Sequence, residues 1–300
     1  MNFLNTLHSS FGLVLLDWPF FSPTFLNKAI TTAALLAEDV YYAVITPKPL
    51  KYLPLPNYQL PNNKQVEAEL RQQIEQICSR LNINKTHHYC GIFLGIEGVH
   101  QLNQVCLDKQ ISMIFKDLHP TLSFTQHLMA LNTLQLAKEA NTSIWFITQS
   151  TPSRRGLVCV SNESHDTQHE TLTHKIIATS SWLANCLTIK LELFHAVTPL
   201  VAEWLVDTDL TQPHQNEVKQ RQTYFDQQVH QLLSSLPTDT FAITCIQGEP
   251  DYVIKQRLQQ QIVDLLIIGW LPQNHWTHAM HGQLAERFIK QGDCDVIIIK

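Results

Sequence analysis

Two short runs constrain this chain more than any other feature. In Leu265–Gly269 (LLIIG) and Val296–Lys300 (VIIIK), apolar residues, many β-branched, stand at consecutive positions, so both faces of each segment must be covered. Strands with two apolar faces belong to parallel sheets held between helices. Around them, short β-branched runs alternate with helical stretches, the pattern of βαβ units. Gly156–Ser161 (GLVCVS) reads as a first strand, Leu172–Leu187 as a helix, and Ile189–Val197 as a second strand closed by Pro199. A Gln-rich helix over about 215–236, a strand Phe241–Gln247, a helix to about Ile262 and a strand Asp264–Ile268 follow. After a loop at 269–281, a helix to about Gln291 delivers the strand Cys294–Ile299.

The first half repeats this order of elements, as an internal duplication does. Gly12–Leu16, Val40–Thr46, Cys90–Leu94, Ile111–Phe115 and Ser143–Thr148 read as five strands, with helices over Pro23–Glu38 and Lys64–Leu81. The polar segment 149–155 lacks apolar periodicity and reads as a linker. The expected fold is therefore α/β, with two doubly wound five-stranded parallel-sheet domains in tandem, 1–148 and 156–300. A length of 300 residues suits two domains. Ligands in such sheets bind beyond the strand C-termini at the topological switch point, beside the first and fourth strands.

Composition then removes function classes. Nine glycines are about 3% of the chain, against a usual ~7%, which makes glycine-rich phosphate loops hard to build. A formal net charge of −5 leaves no basic footprint for nucleic acid. The N-terminal apolar run has no basic flank and is cut by Asp17, so neither a signal peptide nor a membrane span is expected. The expected location is cytoplasmic. Seven cysteines without a CxxC pair read as buried reduced thiols.

The closing segment, DLLIIG followed by a loop and GQLAERFIKQGDCDVIIIK, resembles the ending of universal stress protein domains almost position by position. GLVCVS, LELFHAV and the QGEP turn are further points of likeness, and the tandem arrangement is similar to that of two-domain bacterial members. The resemblance covers 156–300 well and 11–148 by order of elements and a few positions such as Asp17. It implies the adenine nucleotide alpha hydrolase-like fold, and an internal pseudo-dimer with a possible homodimer. It also implies that the last strand pairs with another, from the first half or from a second chain.

Members of that family that bind ATP use a GxxG(x9)G[S/T] loop, whose backbone N–H groups and hydroxyl hold the phosphates. Its spacing survives here as Gly269, Pro272, Gly282 and Gln283, but Pro272 has no N–H to donate and Gln283 replaces a small hydroxyl by a long amide. The acidic residue that follows the first strand in the family aligns with Ser161. Ser161, Gly269, Gly282 and Gln283 thus mark a degenerate nucleotide cleft. In the first half, Lys116 stands where the loop's first glycine would be, so nucleotide binding is not expected there either. Asp17 reads more simply as a turn residue than as a ligand contact.

His275, His278 and His281 recur three apart, but no Cys, Asp or Glu close by in sequence completes a four-ligand set, and no metal is expected. His169, Glu170 and His174 miss the HExxH spacing. Trp270 and Trp276 bracket the altered loop and could line an apolar cleft, with helix packing as the plain alternative. No nucleophile elbow, Walker motif or complete GxGxxG occurs. The expectation is a non-catalytic stress-response module without cofactor that binds protein partners or a small ligand. The alternative is an ATP- or AMP-binding switch with slow hydrolysis.

Overall fold

The computed structural model describes residues 11–18, 21–46, 62–118, 133–148, 154–160, 167–197, 220, 223, 227, 241–260, 263–270 and 280–300. The expected Gln-rich helix over 215–236 lies mostly outside these residues. By contacts the chain forms two compact units: Met1–Pro152 together with Pro272–Lys300, and Ser153–Leu271.

In the first unit the strands are β1 (Phe11–Asp17), β2 (Asp39–Thr46), β3 (Thr86–Leu94), β4 (Ile111–Asp117), β5 (Ser143–Ile147) and β10 (Asp295–Ile299). They lie in the order β3-β2-β1-β4-β5-β10. All described pairings are parallel except that of β10 with β5, which is antiparallel and sets Val296 opposite Phe146 and Ile298 opposite Ile144. β5 and β10 are buried at every position, which is the environment VIIIK requires. All five strands expected in the first half are present. The last strand of the chain finds its partner in the first half.

Helix α1 (Pro23–Leu36) starts because Ser22 accepts the Phe25 N–H through its hydroxyl at 2.9 Å and Pro23 supplies a helix-ready φ. Helix α2 (Asn63–Leu81) is capped by Asn62, buries Val66, Leu70, Ile74 and Cys78 four apart, and ends where Asn82 turns left-handed at φ 53°. Helix α3 (Gly95–Asp108) is absent from the sequence reading, since two glycines in its first turns dilute the helical signal. Gly98 is required there: a Cβ would stand 2.7 Å from the Phe93 backbone as the chain turns out of β3. A further helix covers 133–139 (α4). Right-handed crossovers put α1 and α2 on one face of this sheet and send α3 to the other. Asn103 of α3 donates to the Glu139 carbonyl in α4 at 2.8 Å, joining the helices of that second face.

The second unit holds β6 (Arg155–Cys159), β7 (Lys190–Val197), β8 (Phe241–Gln247) and β9 (Leu265–Gly269), all parallel in the order β9-β6-β7-β8. Its longer described helices are α5 (Thr167–Leu187) and α6 (Pro250–Gln259), and the described residues 220, 223 and 227 are helical as well. Arg257 on α6 grips Glu192 on β7 with contacts of 2.6 and 2.7 Å while lying over the Phe194 ring. Helix α7 (Met280–Gln291) leads into β10 and belongs with the first unit.

Candidate functional site

In the first unit the switch point lies between β1 and β4, where the strand order reverses. Its C-terminal edge ends in polar side chains rather than in a glycine loop. Asp17, Thr46, Lys116 and Asp117 are all buried there, Asp17 and Lys116 with no exposed surface. The register explains their meeting. Leu15 of β1 pairs with Lys116 of β4, so Asp17, two residues on, projects from the same face one step further along. The Lys116 ammonium is accordingly paired with the Asp17 carboxylate. Asp17, read from sequence as a turn residue, is therefore half of a buried ion pair. Lys116 occupies the expected glycine position and commits its charge inward.

The opposite face carries a second polar group. Asp117 Oδ2 accepts the Ser22 N–H at 3.3 Å, tying β4 to the start of α1. Asp295, fully buried at the start of β10, accepts from Trp145 Nε1 at 3.0 Å, from the Thr148 N–H at 2.9 Å and from the Thr148 hydroxyl at 2.8 Å. Lys28 of α1 completes its surroundings at 2.9 Å. One carboxylate thus joins β10, the end of β5 and α1. Sequence reasoning passed over it, although an Asp leading an otherwise apolar CDVIII run was the available signal: a charge in such a strand must be paired.

Of the residues assigned to the degenerate cleft, Gly269 ends β9 in the second unit. A Cβ there would lie 2.6 Å from Leu172 Cδ2 and 2.7 Å from Ile176 Cδ1, so the glycine lets α5 approach the strand end. Gly282 and Gln283 fall in the first turn of α7, in the first unit. Ser161, Pro272, Trp276, His275 and His278 lie outside the described residues, as do the side chains of His281, Gly282 and Gln283. Trp270 is buried. His169, Glu170 and His174 sit on α5. Among the described residues no set of three metal-ligating side chains converges.

The cysteines are all free, but the expectation of burial holds only at Cys78, Cys106 and Cys294: Cys90, Cys159 and Cys245 are half-buried, and Cys186 is exposed on α5. Burial pushes the Cys90 thiol up to about 11 and the Cys106 thiol up to about 12, which keeps both protonated and poorly nucleophilic at neutral pH. Burial also brings the Lys300 ammonium down to about 8. Its Nζ donates to the Ala137 carbonyl of α4.

With this geometry in hand, comparison with known proteins places the fold. Residues 154–300 match the model of the Universal stress protein family. No curated protein matches the chain. Among solved structures, a putative universal stress protein from Pseudomonas aeruginosa UCBPP-PA14 is 13% identical with a TM-score of 0.67, covering 99% of this chain and 95% of its own. A functionally unknown protein from Pseudomonas aeruginosa PAO1 gives 13% identity and a TM-score of 0.66, covering 99% and 94%. A universal stress protein from Archaeoglobus fulgidus DSM 4304 gives 11% and 0.61, covering 97% and 96%. The chain thus has the α/β fold of these proteins over nearly its whole length. Among the described residues no helix is long and apolar enough to cross a membrane.

Proposed function

We propose that the whole chain is a tandem universal stress protein, similar in that respect to the stress protein UspE. Its domains are 1–148 and 156–300 about a linker at 149–155, and it works without catalysis or nucleotide by binding a protein partner or a small ligand. The observation that carries this reading is the Asp17–Lys116 ion pair. A nucleotide in a doubly wound sheet needs backbone N–H groups presented at the switch point. In the first unit that point is closed by two fully buried, mutually paired side chains. A flexible ammonium held by a carboxylate does not replace a cradle of fixed donors. For the cleft marked by Ser161, Gly269, Gly282 and Gln283 the argument rests on residue chemistry, since Pro272 lacks a donor and Gln283 lacks the small hydroxyl. The crowding of Gly269 by Leu172 and Ile176 gives that glycine a packing role that needs no ligand. We place the protein in the cytoplasm, with the two halves as an internal pseudo-dimer.

Isothermal titration of the intact protein with ATP and with ADP tests the proposal. No heat of binding is expected up to millimolar nucleotide. Micromolar binding by the unmodified protein would overturn it in favour of an ATP- or AMP-dependent switch. Binding gained only by a Pro272→Gly, Gln283→Ser double variant would identify those positions as the cause of the loss.

A further inference from the structure

Away from the switch point, the last turn of α2 and the start of the edge strand β3 bring a thiol and an imidazole together. Cys78 Sγ lies 3.1 Å from His87 Nε2, and the Cys78 residue is nine-tenths buried. Cys78 also anchors the turn between the two elements, its carbonyl accepting the Ile83 N–H at 2.9 Å. The pair is therefore fixed from both sides. His87 Nδ1 is buried and makes no hydrogen bond among the described residues, so the ring is oriented by Nε2 and the thiol alone. Both groups are held neutral. Burial, reinforced by the Glu75 carboxylate, pushes the Cys78 thiol up. Burial together with His88 pushes His87 down, against the opposing pull of Asp39 and Glu75.

We propose that Cys78 and His87 form a two-coordinate site for a soft monovalent d10 cation, Cu(I), in which the metal replaces the proton shared between sulfur and nitrogen. Thiolate and imidazole are the donors that favour Cu(I), and two donors suffice for it, whereas zinc requires four. The exchange needs no redox partner: Cu(I) binds the sulfur and the imidazole lone pair, and one proton leaves to solvent. With the zinc–sulfur and zinc–nitrogen lengths of about 2.3 and 2.0 Å as a guide, a metal in line between the two donors requires the pair to open by roughly 1 Å from its 3.1 Å separation, within the reach of side-chain torsions. The product of thiolate, imidazole and monovalent ion is neutral, which suits a partly buried site. The carboxylates of Glu75 and Asp39 lie close enough to influence the pair and favour a cation over a vacancy.

The test is anaerobic competition of the full-length protein against bicinchoninate for Cu(I), read by the absorbance of the copper–bicinchoninate complex. One equivalent is expected to transfer to the protein. Loss of an outer-shell partner alone costs a metal site about 10–100-fold, so His87→Gln, which removes one of two direct donors, should weaken it by more than about tenfold, and Cys78→Ser should abolish it. Thermal unfolding of each variant separates loss of metal from loss of fold, and His87→Gln, at a partly exposed position, keeps the test usable where Cys78→Ser does not fold. His195 pairs with Cys245 in the β7–β8 register and presents a second thiol beside an imidazole, so Cys245→Ala is the control. Transfer unchanged in the folded His87→Gln variant, or lost in Cys245→Ala, overturns the assignment.

Discussion

Replacing Lys116 by Met leaves Asp17 as a carboxylate with no exposed surface and without its ammonium, at the centre of the first unit's sheet. Removing one member of a buried pair costs about 3–5 kcal/mol, because the surviving charge keeps its desolvation penalty and loses its compensation. Removing both charges is a different matter. An Asp17→Leu, Lys116→Met double variant exchanges the pair for apolar volume, a change that is often neutral or stabilising by about 1–4 kcal/mol in comparable sites. The double-mutant cycle should therefore be strongly non-additive. Urea unfolding followed by far-UV circular dichroism and by tryptophan fluorescence reads it, with Trp145 reporting on the first unit. For a unit of this size each kcal/mol corresponds to about 2–4 °C, so the single variant should melt roughly 10 °C lower. A loss under about 1 kcal/mol for Lys116→Met, or a double variant that falls by the sum of its singles, would refute the claim that two coupled charges close this edge.

Three further outcomes follow from the same geometry. Asp295→Asn should destabilise the first unit by about 2–4 kcal/mol, because an amide turned toward Trp145, Thr148 and Lys28 brings donors to donors; a change below about 0.5 kcal/mol in urea unfolding would show that this carboxylate is not what fastens β10 to β5. Gly269→Ala should cost about 1–3 kcal/mol through overpacking against Leu172 and Ile176, and Leu172→Ala in the same chain should restore part of it; additive losses would place the strain elsewhere. The lowered affinity of His87 for protons means that the unfolded chain binds the proton more tightly, so its contribution is present above pH ~6.5 and is lost as pH falls through the folded value. Melting temperature should thus drop more steeply below that point in the natural protein than in His87→Gln, and parallel profiles would exclude this histidine as the source.

The alternation of two-sided apolar runs with helical stretches made the α/β class and the first half's five strands legible without coordinates, because period and burial are local properties of a strand. The sequence places the start of α1 at Pro23, where the structure has it, and that of α2 one residue late, because helix starts depend on local chemistry, which Ser22 and Asn62 supply as caps in the structure. Helix α3 was not legible, since Gly98 serves a close approach to Phe93 that only the folded chain creates, and Gly95 takes a positive φ of 55° at the turn out of β3. The same holds for Gly269. From the sequence it reads as the remnant of a phosphate loop; in the structure its missing side chain makes room for two residues of α5.

What the sequence determined by itself was therefore the kind of element each segment forms and the residue types at the strand ends. Asp17 and Lys116 could be assigned to the edges of β1 and β4, yet their meeting depends on a strand order in which β4 returns beside β1 across 99 residues of chain. Asp295 could be recognised as a charge in an apolar strand, but the donors around it come from β5, the residue that follows β5, and α1. Long-range partners of this sort are fixed by parallel register and by the antiparallel docking of β10 on β5. No periodicity encodes them, because the free energy that selects them arises only when distant buried charges must be satisfied together.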